Sequence, residues 1–361
     1  MPAGAGAELP TDRPIRSGAG YEQANPIRGG LRKSRVTAPT TVPTILETDA
    51  LRVGLSRTVV PTAVGAVTVH AGRREGEVAL VMLHGAAASW STWTPLLAAS
   101  DRTTRPLTDV VAIDLPGWGA STGRVPSLEH LSRAVVEVVR ALGYERWRLV
   151  GHSLGGFVAL DIAARHPEET MAVGLVSPSG EGVMDAVRRP VIGGLHLPAF
   201  AGIVLAMRLL RALGTATPPL LRFLRAIGVL RLLASPLFRR PARVDRSVSD
   251  ALADEIRPVA FLRAAHAACT YDDRRWRRIR CPVRSVAGER DVFSRASDDA
   301  WFARRLRDFA AVRLPGAGHY AAVERPTEVL TALSPVLRPR APGLRAALRP
   351  SAVSPLEANA G

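Results

Sequence analysis

The chain has 361 residues, of which 47% are hydrophobic, and a formal net charge of +16 carried almost wholly by arginine, Lys33 being its one lysine. That length and apolar content suffice for a sizeable core, so a wholly disordered chain is excluded. Two cysteines, Cys269 and Cys281, make no disulfide framework and have no metal-ligand spacing with histidine, and they read as reduced, buried thiols. No glycine-rich phosphate loop, dinucleotide fingerprint or internal repeat occurs, so neither cofactor nor metal is expected.

Residues 1–55, rich in Gly, Pro, Ala and Arg, read as a disordered basic arm; they lack the apolar stretch of a secretory signal. The run "VALVML" (Val78 to Leu83) predicts a buried strand, and His84-Gly85-Ala86 follows it. "VVAIDLPGWGAS" (Val110 to Ser121) predicts a second strand entering a tight turn, in which Asp114 has a structural part. "SLEHLSRAVVEVVRAL" (Ser127 to Leu142) predicts an amphipathic helix with Ser127 as N-cap.

"RWRLV" (Arg146 to Val150) predicts a strand and "FVALDIAARH" (Phe157 to His166) a helix. Between them "GHSLG" sets Ser153 two residues from a glycine on each side. A serine in so sharp a strand-to-helix turn is held at strained backbone angles, and side chains at Gly151 and Gly155 would strike the crossing strand and helix. Such a turn exposes Oγ as a nucleophile, with the Leu154 N–H at the helix start placed to hold a developing oxyanion. An ordinary glycine-rich turn is the alternative on this motif alone.

After a strand at "MAVGLV" (Met171 to Val176), the alternation of strand and helix stops for residues 179–276. Phe200 to Gly214 and Pro219 to Leu233 predict two helices, parted by Pro218-Pro219. From Ala186 to Val244 there are ten arginines and no acidic residue. Pro190 to Met207 carries no formal charge, but two prolines argue against one straight membrane-spanning helix. The alternation resumes with "VRSVA" (Val283 to Ala287), after which Asp291 stands in a loop with Glu289 as its competitor. A last strand at Ala310 to Leu314 is followed by "PGAGHY", a loop that gives His319 reach across a sheet edge. Residues 338–361 read as a disordered tail, with a short helix at "GLRAALR".

A serine hydroxyl needs a base, ordinarily a histidine oriented by a carboxylate. Of eight histidines, His319 alone combines a strand end with a flexible loop; His152 adjoins Ser153 and points elsewhere in such a turn. The order Ser153, Asp291, His319, with "ERPTEV" (Glu324 to Val329) after the histidine, resembles the α/β-hydrolase fold superfamily. The nearer likeness is to its capped esterase, haloperoxidase-like, carrier-protein methyl esterase and meta-cleavage hydrolase branch. The resemblance implies a mostly parallel sheet with helices on both faces over residues 56–178 and 277–337, with 179–276 inserted as a helical cap. It implies a catalytic set of Ser153, Asp291 and His319, with the Ala86 backbone N–H as second oxyanion donor beside that of Leu154. A serine nucleophile disfavours epoxide hydrolysis and dehalogenation, and "AAAS" after His-Gly disfavours C–C hydrolysis. The resemblance therefore points first to a carboxylic ester, then to a thioester or carrier-linked ester, then to C–C cleavage or perhydrolysis, with a non-catalytic accessory protein as the rival. An apolar cap suits an acyl or aromatic substrate. Its arginines fit an acidic carrier protein or an anionic membrane surface, and both stay open. Their aliphatic neighbours argue against nucleic acid. The expected location is cytoplasmic, with membrane contact only at the surface.

Overall fold

Short runs of Val, Leu and Ile without polar alternation need burial on both faces, and the central strands have it. The computed structural model describes residues 44–123 and 127–338. In the strand β3 (Val78–Leu83), Ala79, Val81 and Leu83 enter one apolar cluster while Leu80 and Met82 enter another on the opposite face. Around it lie β1 (Leu55–Thr62), β2 (Gly65–Gly72), β4 (Val110–Ile113), β5 (Arg146–His152), β6 (Thr170–Val176), β7 (Val283–Gly288) and β8 (Phe309–Leu314). The described sheet has eight strands in the order β1-β2-β4-β3-β5-β6-β7-β8; the β1–β2 and β2–β4 pairs are antiparallel and the others parallel.

Helices close both faces. Thr94–Asp101 (α1) packs on one side, and Leu128–Ala141 (α2) and Leu154–Arg165 (α3) on the other. Ser127 caps α2 as expected, accepting the His130 N–H at 3.3 Å. Asp114 accepts the N–H groups of Trp90 and Ala120 at 2.9 and 3.0 Å, which pins the turn after β4. Both cysteines are free and buried.

Between β6 and β7 the chain forms α4 (Glu181–Arg188), α5 (Pro190–His196), α6 (Pro198–Ala212), α7 (Thr217–Ala226), α8 (Val229–Ala234), α9 (Arg246–Asp254) and α10 (Pro258–Cys269). After β7 come α11 (Ala296–Ala303), then α12 (Ala321–Glu324), α13 (Pro326–Ala332) and α14 (Ser334–Leu337). Two sequence expectations change here. The single helix expected over Pro219 to Leu233 is two, because Gly228 adopts φ +77° and ends α7. Residues 44–55, expected to belong to the disordered arm, are instead packed: Leu46, Val53 and Leu55 are buried, and the Leu46 N–H bonds Ser247 Oγ at 3.1 Å. The rest of the expected arm, residues 1–43, and the tail from residue 339, with its short helix, lie outside the described residues. Among the described residues no single helix is long and apolar enough to cross a membrane.

Candidate active site

β5 ends at His152 and α3 begins at Leu154, leaving Ser153 alone in the corner at φ 50°, ψ −114°. An L-residue is strained there and persists only because its surroundings fix it. A Cβ on Gly151 would lie 2.3 Å from the Gly155 carbonyl oxygen, and one on Gly155 would lie 2.2 Å from that of Leu83. Strand, helix and neighbouring strand thus meet backbone to backbone, and glycine is required at both positions. The Leu154 N–H belongs to the first turn of α3, where donors lack an intrahelical acceptor.

The loop after β3 lies directly against this corner: a Cβ on Gly85 would come 2.8 Å from His152 Nδ1 and 3.1 Å from Ser153 Cβ. The buried His84 ring accepts the Leu115 N–H at Nε2, at 2.9 Å, so its proton sits on Nδ1, which donates to the Gly85 carbonyl at 2.7 Å. Burial pushes the His84 pKa down and keeps the ring neutral. In a trans peptide the carbonyl and the following N–H point in opposite directions. Turning the Gly85 carbonyl toward His84 therefore turns the Ala86 N–H away from that ring.

β7 and β8 deliver the other two side chains. The Asp291 carboxylate is wholly enclosed and faces His319 Nδ1, 3.0 Å from Oδ1 and 3.1 Å from Oδ2. Its Oδ1 also accepts the N–H groups of Phe293 and Ser294 at 2.8 and 3.0 Å. Burial works to raise the Asp291 pKa, but the charge and hydrogen bond of His319 and those two amides outweigh it, and the net shift is downward. An ionised carboxylate only accepts, so His319 Nδ1 donates to it and Nε2 is the ring nitrogen turned away from Asp291. Glu289, the competitor, is exposed.

His152 ties the corner to His319. Its Nε2 donates to the His319 carbonyl at 3.1 Å, and the two rings lie 4.9 Å apart. Burial, followed by the nearby His319, pushes the His152 pKa down to about 3, so it is a neutral donor. Ser153 and Leu154 stand at the corner, Ala86 follows Gly85 in the loop against it, and the His319–Asp291 pair is linked to the corner through His152; the Ser153 hydroxyl itself meets Ser179 and not His319.

Three neighbours were not singled out from the sequence. Ser179 Oγ lies 3.3 Å from Ser153 Oγ. Glu324 accepts the N–H groups of Gly318, Arg239 and Arg240 at 2.6, 2.8 and 3.1 Å, while the His319 N–H bonds the Leu237 carbonyl at 2.8 Å. The segment after α8 is thereby fastened to the loop that carries His319. Phe293 sets its ring edge-to-face with His319 at 4.7 Å and meets Phe200 of α6 at 5.7 Å. These rings belong to an apolar cluster with Val183, Leu197, Met207 and Phe261, against which Ala86 also packs. "ERPTEV" gave the only hint of Glu324; Ser179 and Phe293 carry no motif. A separate cleft of about 520 Å³ at the start of α10, between Arg257 and Arg263, contains none of the candidate residues. Among the described residues no group of three or more His, Cys, Asp or Glu side chains is placed to hold a metal ion.

The sheet order and the strand-to-helix corner are those of an α/β-hydrolase fold. The family model described as "Alpha/beta hydrolase family" matches residues 80–332, and the chain belongs to that family of hydrolases. It is 29% identical over 272 residues to a pimeloyl-[acyl-carrier protein] methyl ester esterase of Aromatoleum aromaticum, covering 72% of this chain and 98% of that one. It is 32% identical over 131 residues to the dihydrolipoyllysine-residue acetyltransferase component of the acetoin cleaving system of Pseudomonas putida, covering 35% of this chain and about a third, 32%, of that relative. The crystal structure of naproxen esterase (carboxylesterase NP) from Bacillus subtilis matches with a TM-score of 0.55 at 16% identity over 79% of this chain and 93% of that one, a likeness of fold.

Proposed function

We propose that the protein is a cofactor-independent serine hydrolase acting on a carboxylic ester with an apolar acyl or aromatic part. The observation that carries this reading is the strained Ser153 at the β5–α3 corner, joined through the hydrogen bond from His152 to the His319 carbonyl to a buried His319–Asp291 pair that arrives from two other strands. Ser153 Oγ attacks the ester carbonyl carbon while His319 Nε2 takes its proton. The backbone N–H groups of Ala86 and Leu154 hold the resulting oxyanion, each such donor contributing on the order of 10²-fold or more. His319 returns the proton to the leaving alkoxide and an acyl-enzyme remains. Water, deprotonated by His319, then attacks the acyl carbon, and the acid leaves as Ser153 regains its proton. Ser153 Oγ faces Ser179 in the structure, so a rotation about its Cα–Cβ bond precedes transfer to His319. Residues 179–276 act as a cap, and Phe200, Phe261 and Phe293 form the apolar wall for the acyl part. The esterase of A. aromaticum, by its name, acts on a methyl ester, which fits the proposed bond class.

Hydrolysis of p-nitrophenyl esters of graded chain length tests this. The wild type turns them over, and Ser153→Ala loses roughly 10³-fold or more with the fold intact. Near-normal activity of the purified variant contradicts the mechanism.

A further inference from the structure

Four successive helices of the inserted segment turn large apolar side chains toward solvent. Of the sixteen large hydrophobic residues that stand exposed among the described residues, ten fall between Val191 and Leu233, at 47% to 80% exposure. The pattern is clearest on α6. Phe200, Ile203, Val204, Met207 and Leu210 face inward and pack. Leu205, Leu209 and Leu213, spaced by four, form an outward stripe that is also apolar. A surface helix in water normally carries polar residues on that face, and a helix apolar all round belongs in an apolar medium. Val191 and Leu195 on α5, Phe223 on α7, and Leu232 and Leu233 on α8 extend the exposed apolar character along the segment.

The charges of the same segment are all of one sign. Residues 186–244 hold ten arginines and no acidic residue. Among the described residues only Arg225 of the ten pairs with a carboxylate, meeting Asp250 and Asp254 of α9. Arg208 and Arg211 flank the α6 stripe and are exposed, as are Arg222 and Arg231. A second copy of this face would set arginine against arginine, which disfavours a homodimer there. A soluble acidic partner would match the charge but leave so many aliphatic side chains to be covered by a largely polar surface. A bilayer with anionic headgroups matches both features: leucines enter the acyl boundary, and arginine stems reach along them with the guanidinium at the headgroups. Helix α6 alone, at 15 residues, is too short to cross a bilayer; only together with the following helix does it reach the length and apolar content of a span, and that pair is bent by 112°, a shape that suits a segment lying on or dipping into the membrane and not one straight span.

We infer that helices α5 to α8 form a docking surface for an anionic lipid bilayer. The same segment adjoins the candidate catalytic residues, since Phe200 of α6 meets Phe293 against His319 and the Leu237 carbonyl holds the His319 N–H. Docking therefore sets the entrance to that site at the membrane. The corollary that the substrate is an amphiphilic ester drawn from the bilayer rests on the function proposed above; the docking itself does not.

The test is co-sedimentation of the full chain with phosphatidylcholine vesicles, with and without roughly one third phosphatidylglycerol. Ser153→Ala protein is used in parallel, so that binding is read independently of catalysis. The expected result is binding to the anionic vesicles by both proteins and little to phosphatidylcholine alone. Each surface arginine counts for about fivefold toward an anionic leaflet, so the pair Arg208→Gln and Arg211→Gln lowers partitioning roughly twentyfold or more. The pair Leu205→Ser and Leu209→Ser lowers it about tenfold or more through lost apolar burial. Both double variants hydrolyse a small soluble ester as the wild type does, if the esterase reading holds; a wild type that binds the vesicles but hydrolyses no ester counts against that reading alone. The inference is overturned by absence of binding to anionic vesicles, by indifference of binding to the leucine pair, or by a solution dimer that these substitutions dissolve. Arginine-dependent binding of an acidic acyl carrier protein without vesicle binding overturns it as well and moves the surface to a protein partner.

Discussion

Asp291 and Glu289 are two residues apart in one loop, yet only Asp291 is enclosed, ionised and set on His319 Nδ1. Asp291→Asn would offer an amide N–H to that nitrogen and drive the ring proton to Nε2, where the proposed base needs a lone pair. Turnover should fall on the order of 10³- to 10⁴-fold, while Glu289→Gln should leave kcat/KM nearly unchanged; the reverse ranking would transfer the orienting role to Glu289. His152 has a different signature. Its folded pKa of about 3 lies below the ordinary value of 6.5, so the unfolded chain binds the extra proton first as pH falls. Stability is therefore highest above about pH 6.5 and declines toward pH 3, by on the order of 4 kcal/mol from this residue. His84 and His70, both depressed first by burial, act in the same direction. Urea unfolding at stepped pH should give a shallower decline for His152→Gln than for the wild type; an identical slope would show that His152 is not the buried neutral donor described here.

The strands β3 to β7 were legible as elements because each is a short aliphatic run buried on both faces; β8, an edge strand that is mostly exposed, was legible only as a short run of Ala, Val and Leu before the His319 loop. The β1–β2 hairpin was not: β1 is an edge strand, mostly exposed, and contains Pro61, which an edge tolerates. The corner at Ser153 was legible because its glycines record a backbone contact. Glu324 was not, since a carboxylate gathering amides from two distant loops has no local spacing to betray it. The break at Gly228 was missed because apolar periodicity continues through it. These elements carry their own prediction. Glu324→Ala releases the amides of Gly318, Arg239 and Arg240, and a small shift of the His319 loop can cost up to about 10² in rate. The expected result is a fall in kcat with faster hydrogen exchange at Arg239 and Arg240, and substantial rescue by Glu324→Gln, which keeps an acceptor oxygen. Unaltered exchange and unaltered kcat would remove the clamp. Arg225, which shares a helix face with Arg222 by spacing, is bound to α9 through Asp250 and Asp254. Arg225→Gln should lower thermal stability, whereas Arg222→Gln should not; equal melting temperatures would deny that tie.

At the scale of the whole molecule, one sheet serves two tasks. Ser153 follows β5 while Asp291 and His319 follow β7 and β8, from remote parts of the chain, and the insertion between β6 and β7 supplies both apolar residues of the cluster around Phe200 and a face rich in arginine. The family was legible from motif order; the substrate was not, because one fold hosts many chemistries and the proposed acyl wall consists of phenylalanines that only tertiary contacts bring together. An α/β-hydrolase scaffold can carry an inert pocket, so the function stands or falls with Ser153 as a competent nucleophile. Covalent labelling with a fluorophosphonate, followed by mass spectrometry of the digested protein, measures that directly. A competent Ser153 gives one adduct on the peptide that bears it, absent in Ser153→Ala and strongly slowed in Asp291→Asn. An unlabelled wild type, or an adduct on another residue that persists in Ser153→Ala, would contradict it.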